Sequence, residues 1–255
     1  MVLDCCAICA PGLVRPDNQD NLYINGVFRE DTADNSVFQY SGKTQNRGLY
    51  AVADGMGGEK HGELASLVAV QAMDAIKASG GGQSMARYLI ERNAAICGLI
   101  NENNGKRIGS TFAGLCIRGK NAHVANIGDS RIYRLHDGAL TQISRDHTFV
   151  RQMVDLNIIT KEAARSHPNR HKLTQHLGIF PSEMVIEPYT AKIAAEKNDI
   201  FLLCSDGLTD MLDDAAIEGV LKTPDTAEQK TRALYEAALK NGGKDNITIL
   251  LVKVE

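Results

Sequence analysis

Apolar residues along this chain fall into short runs closed by glycine, aspartate or asparagine, over residues 2–9, 21–24, 49–53, 111–117, 122–127, 132–135, 185–193, 200–204 and 247–254. Runs of this length, rich in valine, isoleucine and leucine and bounded by turn formers, predict β-strands. Lys120-Asn121 and Gly128-Asp129-Ser130 separate neighbouring runs by too little chain for a crossover, so the strands they join are expected to be antiparallel. Other stretches follow the helical period. Leu64, Leu67, Val68, Ala72, Met73 and Ile76 predict a well-buried helix over 62–78. Met85, Leu89, Ala95, Ile96 and Leu99 predict a second over 84–103, after the Gly80-Gly81-Gly82 break, and a third covers 226–240. Helices grouped between sets of antiparallel strands predict an α+β layered architecture. Residues 146–178 depart from the pattern, with short helical stretches, several histidines and few large apolar side chains, and read as a surface flap.

No repeat, low-complexity tract or Pro/Gly/Ser linker divides the 255 residues, so a single domain over 1–255 is expected. With 44% hydrophobic residues the chain can bury a sizeable core. Its 28 basic and 31 acidic side chains give a net charge of −3, which offers nucleic acid no basic face. No run reaches the roughly 18 uncharged apolar residues of a membrane span. Met1-Val2-Leu3-Asp4 has no basic stretch ahead of an apolar one, so no secretion signal is read there. Six cysteines, mostly inside apolar runs, read as reduced core residues of a cytoplasmic protein.

The chemistry lies in aspartates at the ends of these runs. Residues 49–53 lead into Asp54-Gly55 and residues 200–204, through Ser205, into Asp206-Gly207. Asp20 opens the run 21–24, Asp245-Asn246 opens 247–254, and Asp129 sits in a turn between two strands. An ionised carboxylate beside a core is costly unless a cation compensates it, and five together point to shared compensation. Oxygen-only donors suit hard divalent cations such as Mg2+ or Mn2+ rather than zinc. A glycine after aspartate lets the backbone approach closely and can present its carbonyl as a further ligand. Arg15, in Arg15-Pro16-Asp17-Asn18-Gln19-Asp20, has the fork geometry and permanent charge that phosphate oxygens call for.

With these residues assembled, the chain resembles the metal-dependent protein phosphatases of type 2C, in their compact bacterial form. The motifs that carry the resemblance occur in the family's order along nearly the whole chain. They are Arg15 to Asp20, Val52-Ala53-Asp54-Gly55-Met56-Gly57-Gly58 with Gly62-Glu63 and Ala65-Ser66, and Gly109-Ser110-Thr111. Asn126 to Arg131, Asp146-His147, Leu173-Thr174, Leu177-Gly178, Ser205-Asp206-Gly207 and Asp245-Asn246 follow. The resemblance implies a four-layer α/β/β/α sandwich, two packed antiparallel sheets flanked by helices, with a flap near a binuclear Mn2+/Mg2+ site at one edge. Asp54 would bridge the two ions, the Gly55 carbonyl would bind one of them, Asp206 and Asp245 would complete the first, and Asp20 would hold its waters. Asp129 with Asp206 would contribute to a third ion, and Arg15 would grip the substrate phosphate. A hydroxide shared by the two ions would then attack phosphorus in line, while the ions and Arg15 offset the charge on the equatorial oxygens.

The expected substrates are phosphoserine and phosphothreonine in proteins, opposing a serine/threonine kinase, with the chain acting as a monomer. A catalytically silent phosphoprotein-binding module of the same fold is the alternative; retention of Asp20, Asp54, Asp206, Asp245 and Arg15 speaks against it. Three positions depart from the family pattern: Gln19 where an acid is frequent, Met56 where eukaryotic members carry a histidine proposed as general acid, and His171 where asparagine is expected. Cys9 and Arg15 also fit the C-x5-R spacing of cysteine phosphatases, but the residues after Arg15 do not open a phosphate-cradling helix. His167, His171 and His176 lack a cysteine or acidic partner at zinc-site spacing and read as flap residues, and His61 reads as a polar helix start.

Overall fold

Leu3, Cys5, Ala7 and Cys9 of the first strand pack into one hydrophobic cluster and Cys6 into another, the alternation of a strand that is covered on both faces. The structure is a computed structural model and describes residues 1–57, 61–76 and 81–255. Its strands are β1 (Val2–Ala10), β2 (Asp20–Ile24), β3 (Val27–Phe28), β4 (Phe38–Gln45), β5 (Arg47–Gly57), β6 (Ile108–Ser110) and β7 (Phe112–Arg118). They continue as β8 (Asn121–Ile127), β9 (Arg131–His136), β10 (Ala139–Gln142), β11 (Tyr189–Ala194), β12 (Ile200–Cys204) and β13 (Ile247–Val254). The helices are α1 (Gly62–Val70), α2 (Gly81–Glu102), α3 (Phe149–Asp155), α4 (Lys161–Arg165), α5 (Asp206–Thr209), α6 (Asp214–Leu221) and α7 (Ala227–Lys240).

One antiparallel sheet runs β10-β9-β12-β13-β1-β4 and the other β11-β8-β7-β5-β2-β3, with β6 paired to the end of β5. Their facing surfaces bury a central core that includes Leu22, Tyr50, Leu115, Phe201 and Leu250. Met85, Leu89 and Ile96 of α2 and Ala65 and Ala69 of α1 cover the outside of the second sheet. Ile217 of α6 and Leu234 of α7 cover the outside of the first. These are the four layers expected, and each arises because a sheet with two apolar faces needs a cover on both.

Several boundaries differ from the sequence reading. The helix expected over 62–78 stops at Val70 and is followed by a 3-10 turn over Met73–Ala75, and the Tyr88 hydroxyl takes the Ala69 carbonyl at 2.6 Å. Met73 remains fully buried, so the apolar spacing continues although the helix does not. Strands β4 and β10 carried no signal because both are edge strands with few apolar residues. The strand expected from 185 begins at Tyr189, and the hairpin turn between β7 and β8 is Gly119-Lys120, with Gly119 at φ +53°. Gly58, Ala78 and Gly80 lie outside the described residues. Cys6 and Cys9 have C-x-x-C spacing, where the sequence reading had found no such pair, but they point to opposite faces of β1. All six cysteines are free and buried. Among the described residues no helix is long and apolar enough to cross a membrane.

Candidate metal centre

Asp20 and Asp54 are register partners across β2 and β5. The sequence reading placed Asp54 at the end of a strand, but β5 continues to Gly57 by changing partners, from β7 up to Val52 to β6 from Gly55. Asp54 sits at that changeover. Its backbone is held on both sides, the amide donating to Thr111 Oγ1 at 2.9 Å and the carbonyl accepting from the Thr111 amide at 2.9 Å and Ser110 Oγ at 3.1 Å. The side chain therefore projects from a fixed point.

The glycines that follow Asp54 and Asp206 are required by close backbone packing. A Cβ on Gly55 would collide with the Gly62 carbonyl and stand 2.5 Å from the Gln19 carbonyl, and one on Gly207 would collide with the Asn246 carbonyl. Both contacts join chain segments that carry the aspartates. The Gly55 amide donates to the Gln19 carbonyl at 3.1 Å, which also accepts from Ser66 Oγ at 2.6 Å, tying β5 and α1 to the segment before Asp20. Gln19, one of the departures from the family pattern, thus contributes its backbone here.

Asp206 is the first residue of α5, and Asp129 lies in the turn between β8 and β9. Asp245 stands two residues before β13, where Oδ1 accepts from the Asn246 amide at 2.9 Å. Arg15 forks onto it, Nε to Oδ1 at 3.0 Å and Nη2 to Oδ2 at 2.8 Å. Asn246 anchors the Arg15 loop: its side chain accepts from the Gln19 amide at 2.8 Å and donates to the carbonyls of Pro11 and Asp17 at 3.1 and 2.9 Å. Ser205 Oγ and Thr248 Oγ1 each meet Asp20 Oδ2 at 2.7 Å.

The carboxylates share one field. Burial raises Asp54 well above the ordinary carboxylate range, and the charges of Asp20, Asp206, Asp129 and Asp245 push it further the same way. Asp129 is raised by burial and then by Asp206 and Asp146. Burial likewise lifts Asp20 to about 7, against the opposing effect of its two hydroxyl donors. Arg15 is raised chiefly by Asp245, with smaller effects from Asp206 and Asp54. Arg131 offsets this crowding only in part at Asp129, and its guanidinium is bound to Asp146 at 2.7–3.2 Å.

Among the described residues, two buried atoms of the cluster, Asp20 Oδ1 and Asp206 Oδ1, have no hydrogen-bond partner. A buried carboxylate oxygen left open is destabilising unless a cation meets it. The donor set is all oxygen, so these residues fit Mg2+ or Mn2+.

The sequence reading gave no role to Ser205, Thr248, Asn18 or the Asn246 side chain. Asn18 Oδ1 accepts from the Asp20 amide at 3.1 Å, and a polar residue inside or beside an apolar run was the only available signal. It also read His171 as a flap residue whose departure from asparagine leaves metal binding untouched. Instead His171 Nδ1 stands 3.7 Å from Asp206 Oδ2 and Nε2 stands 3.4 Å from Asp210 Oδ2. His176 meets the Leu177 carbonyl and His167 lies against Phe149, so the three flap histidines have separate surroundings. His61 is the residue before α1, at φ +98°, and makes no side-chain cap. Cys9 is fully buried, accepts from Asn18 Nδ2, lies 3.1 Å from Thr248 Oγ1, and is pushed up to about 11 by burial. A thiol so held is no nucleophile, which removes the cysteine-phosphatase reading.

Over 248 residues the chain is 35% identical to the serine/threonine protein phosphatase PstP of Mycobacterium tuberculosis, covering 95% of this chain and 43% of that protein. It is 33% identical over 254 residues to the serine/threonine phosphatase stp of Listeria monocytogenes, covering 95% of this chain and 92% of that one. The chain thus spans less than half the length of PstP and nearly all of stp. The crystal structure of PstP/Ppp superimposes with a TM-score of 0.84 at 33% identity, covering 100% of both chains. That of the PstP catalytic domain in complex with two manganese ions gives 0.81 at 30%, again covering 100% of both. Residues 22–248 match the family described as Protein phosphatase 2C, a span that takes in four of the five aspartates. By sequence and by fold, the chain belongs to the protein phosphatase 2C family.

Proposed function

We propose that this chain hydrolyses phosphoserine and phosphothreonine esters in proteins, with residues 1–255 as one catalytic domain and 146–178 as its flap. Asp54, the Gly55 carbonyl, Asp206 and Asp245 would hold two divalent cations of the Mn2+/Mg2+ type, Asp20 would hold their waters, and Asp129 with Asp206 would serve a third. The two open buried oxygens, Asp20 Oδ1 and Asp206 Oδ1, carry this reading. It is supported by the names of the relatives and by the manganese bound to PstP.

When bound, such cations supply Lewis acidity, making water a nucleophile near neutral pH and offsetting charge on phosphate oxygens. The chain's own residues do the rest. Arg15 is more than half exposed, so its guanidinium can leave Asp245 and take two phosphate oxygens while that carboxylate turns to a cation. Hydrolysis forms a bond from a water oxygen to phosphorus, breaks the bond from phosphorus to the serine or threonine oxygen, and returns a proton to that oxygen. No covalent phospho-enzyme is involved, in keeping with the buried, inert Cys9. The physiological partner would be a phosphoprotein made by a serine/threonine kinase.

The test is chelator-sensitive release of phosphate from a phosphothreonine peptide, restored by Mn2+. Asp54→Asn and Asp206→Asn should abolish turnover in proteins that still melt cooperatively; full activity of either would reject the assignment.

A further inference from the structure

A cleft of about 830 Å3 runs from Asp206 and Asp129 along the flap to the β9–β10 edge. We propose that it docks the acidic side chains of the phosphorylated polypeptide, with Lys161, Arg165 and Arg170 as the residues that set this preference. This inference rests on the phosphatase reading and adds to it a substrate class.

The sign of each wall follows from which charges are already paired. Arg131 is committed to Asp146. Arg145 and Arg151 share one carboxylate, Asp155, each at 2.8 Å, which leaves one positive charge in excess. Among the described residues Lys161 and Arg170 make no ion pair, and Arg165 makes only long contacts, 3.4 and 3.5 Å, to the Thr209 and Leu212 carbonyls. All three are exposed. The remaining acids that line the cleft, Asp129, Asp206, Asp210 and Asp214, come from outside the flap; Asp210 faces His171, and Asp214 accepts from the Tyr133 hydroxyl at 2.9 Å. The flap wall is therefore positive.

Only part of this arrangement serves α4 itself, since Arg165, in its last turn, complements the backbone dipole. Lys161 and Arg165 stand four apart on one face of the helix, a like-charge spacing that disfavours it. Lys161 is also the first helical residue, where a cation opposes the backbone dipole. Among the described residues, three cations without an ion pair line one cleft that opens onto Asp206.

Reach sets the position of the acidic residue. Arg165 touches the carbonyl of Thr209, the last residue of α5, and Asp206 is the first. Four helical residues span roughly 5–6 Å. An extended peptide advances ~3.3 Å per residue, so an acid two or three positions from the phosphorylated residue meets the flap cations.

The experiment compares phosphothreonine peptides of one length bearing glutamate, glutamine or lysine at the second and third positions on either side, together with an aryl phosphate that has no flank. For the wild-type chain loaded with Mn2+, kcat/KM should be about tenfold higher with glutamate than with lysine at low ionic strength, shrinking as salt is raised. In a Lys161→Ala, Arg165→Ala, Arg170→Ala variant the glutamate-to-lysine ratio should fall to near one. Equal rates across the wild-type series, or a preference that survives in the variant, would overturn the proposal while aryl phosphate turnover keeps the phosphatase reading. If neither ester nor peptide is hydrolysed, the phosphatase reading fails, and anisotropy of a labelled unphosphorylated glutamate peptide decides the groove. Weaker binding to the variant supports it and equal binding overturns it.

Discussion

Arg15 and Asp245 form a forked ion pair at 2.8 and 3.0 Å, joining a loop near the N-terminus to the turn before the last strand. Both groups are partly exposed, and pairs of that kind contribute ~0–1 kcal/mol to stability. The pair is better understood as two site residues holding each other, one able to release toward phosphate and the other toward a cation.

Arg15→Ala should accordingly shift the melting temperature by no more than about 2–4 °C. Loss of a charge-assisted contact to phosphate costs ~1.5–3 kcal/mol, a fall of roughly 10- to 150-fold in kcat/KM. Steady-state kinetics on a phosphothreonine peptide, beside a thermal melt, reads both quantities. A variant with unchanged kinetics would remove Arg15 from phosphate binding.

Metal binding should stabilise the fold increasingly as pH rises. Asp20 is lifted from the ordinary 3.8 to about 7, and Asp54 and Asp129 are raised in the same sense. A carboxyl with a raised folded-state pKa contributes stability that is fully present below the unfolded value and is lost as pH climbs through the folded one. The metal-free protein should therefore lose stability between about pH 4 and pH 7 through Asp20, and above pH 4 through Asp54 and Asp129 as well. Bound cations favour the ionised form, so the melting-temperature gain from Mn2+ should widen across that window. A gain that is flat with pH would show that these aspartates are not the ligands.

The two hydroxyls on Asp20 Oδ2 should tune metal affinity. Thr248→Val keeps shape and removes one donor, and Ser205→Ala removes the other along with the acceptor for the Thr248 amide. Groups that orient a ligand typically change metal affinity by about 10- to 100-fold when lost. Calorimetric titration with Mn2+ should find weaker binding in both variants, more so in the double variant. Wild-type affinity in Thr248→Val would mean the carboxylate needs no such support.

A layered α+β architecture and nine of the strands were legible in the sequence, eight of them because buried strands repeat apolar residues; the four-layer arrangement came from the family resemblance. Strands β4 and β10 expose alternate residues, β3 and β6 are too short for any period to register, and none carried a signal. The five aspartates were legible for a different reason: a charge beside an apolar run is conspicuous. Their supports were not, since Ser205, Thr248 and Asn246 act through pairings between strands far apart in sequence. His171 belongs to this second kind, because only the folded flap brings it to Asp206.

Gly207 and Gly219 should respond oppositely to alanine. A Cβ at Gly207 would strike the Asn246 carbonyl, and only movement of the segment that carries Asp245 could relieve the clash. Gly219 lies within α6 with nothing inside 4 Å of an added Cβ. Gly219→Ala should add ~0.5–1 kcal/mol through helix propensity, whereas overpacking at Gly207 should cost ~1–3 kcal/mol or more and weaken Mn2+ binding with it. Denaturant unfolding of both variants measures the contrast, and a neutral Gly207→Ala would show that the Asp-Gly pair is only a turn.

The cysteines should be silent in native catalysis. All six are buried, and burial lifts Cys9 to about 11 and Cys204 to about 12. The thiolate is the reactive form, so almost none is present at neutral pH. An aromatic disulfide reagent at pH 7.5 should label the native protein slowly and reach six thiols per chain only in denaturant. Cys9→Ser keeps an acceptor for Asn18 and should retain phosphatase activity. Rapid labelling of one native thiol coupled to loss of turnover would return a cysteine to the mechanism and take the Arg15–Asp245 site out of it.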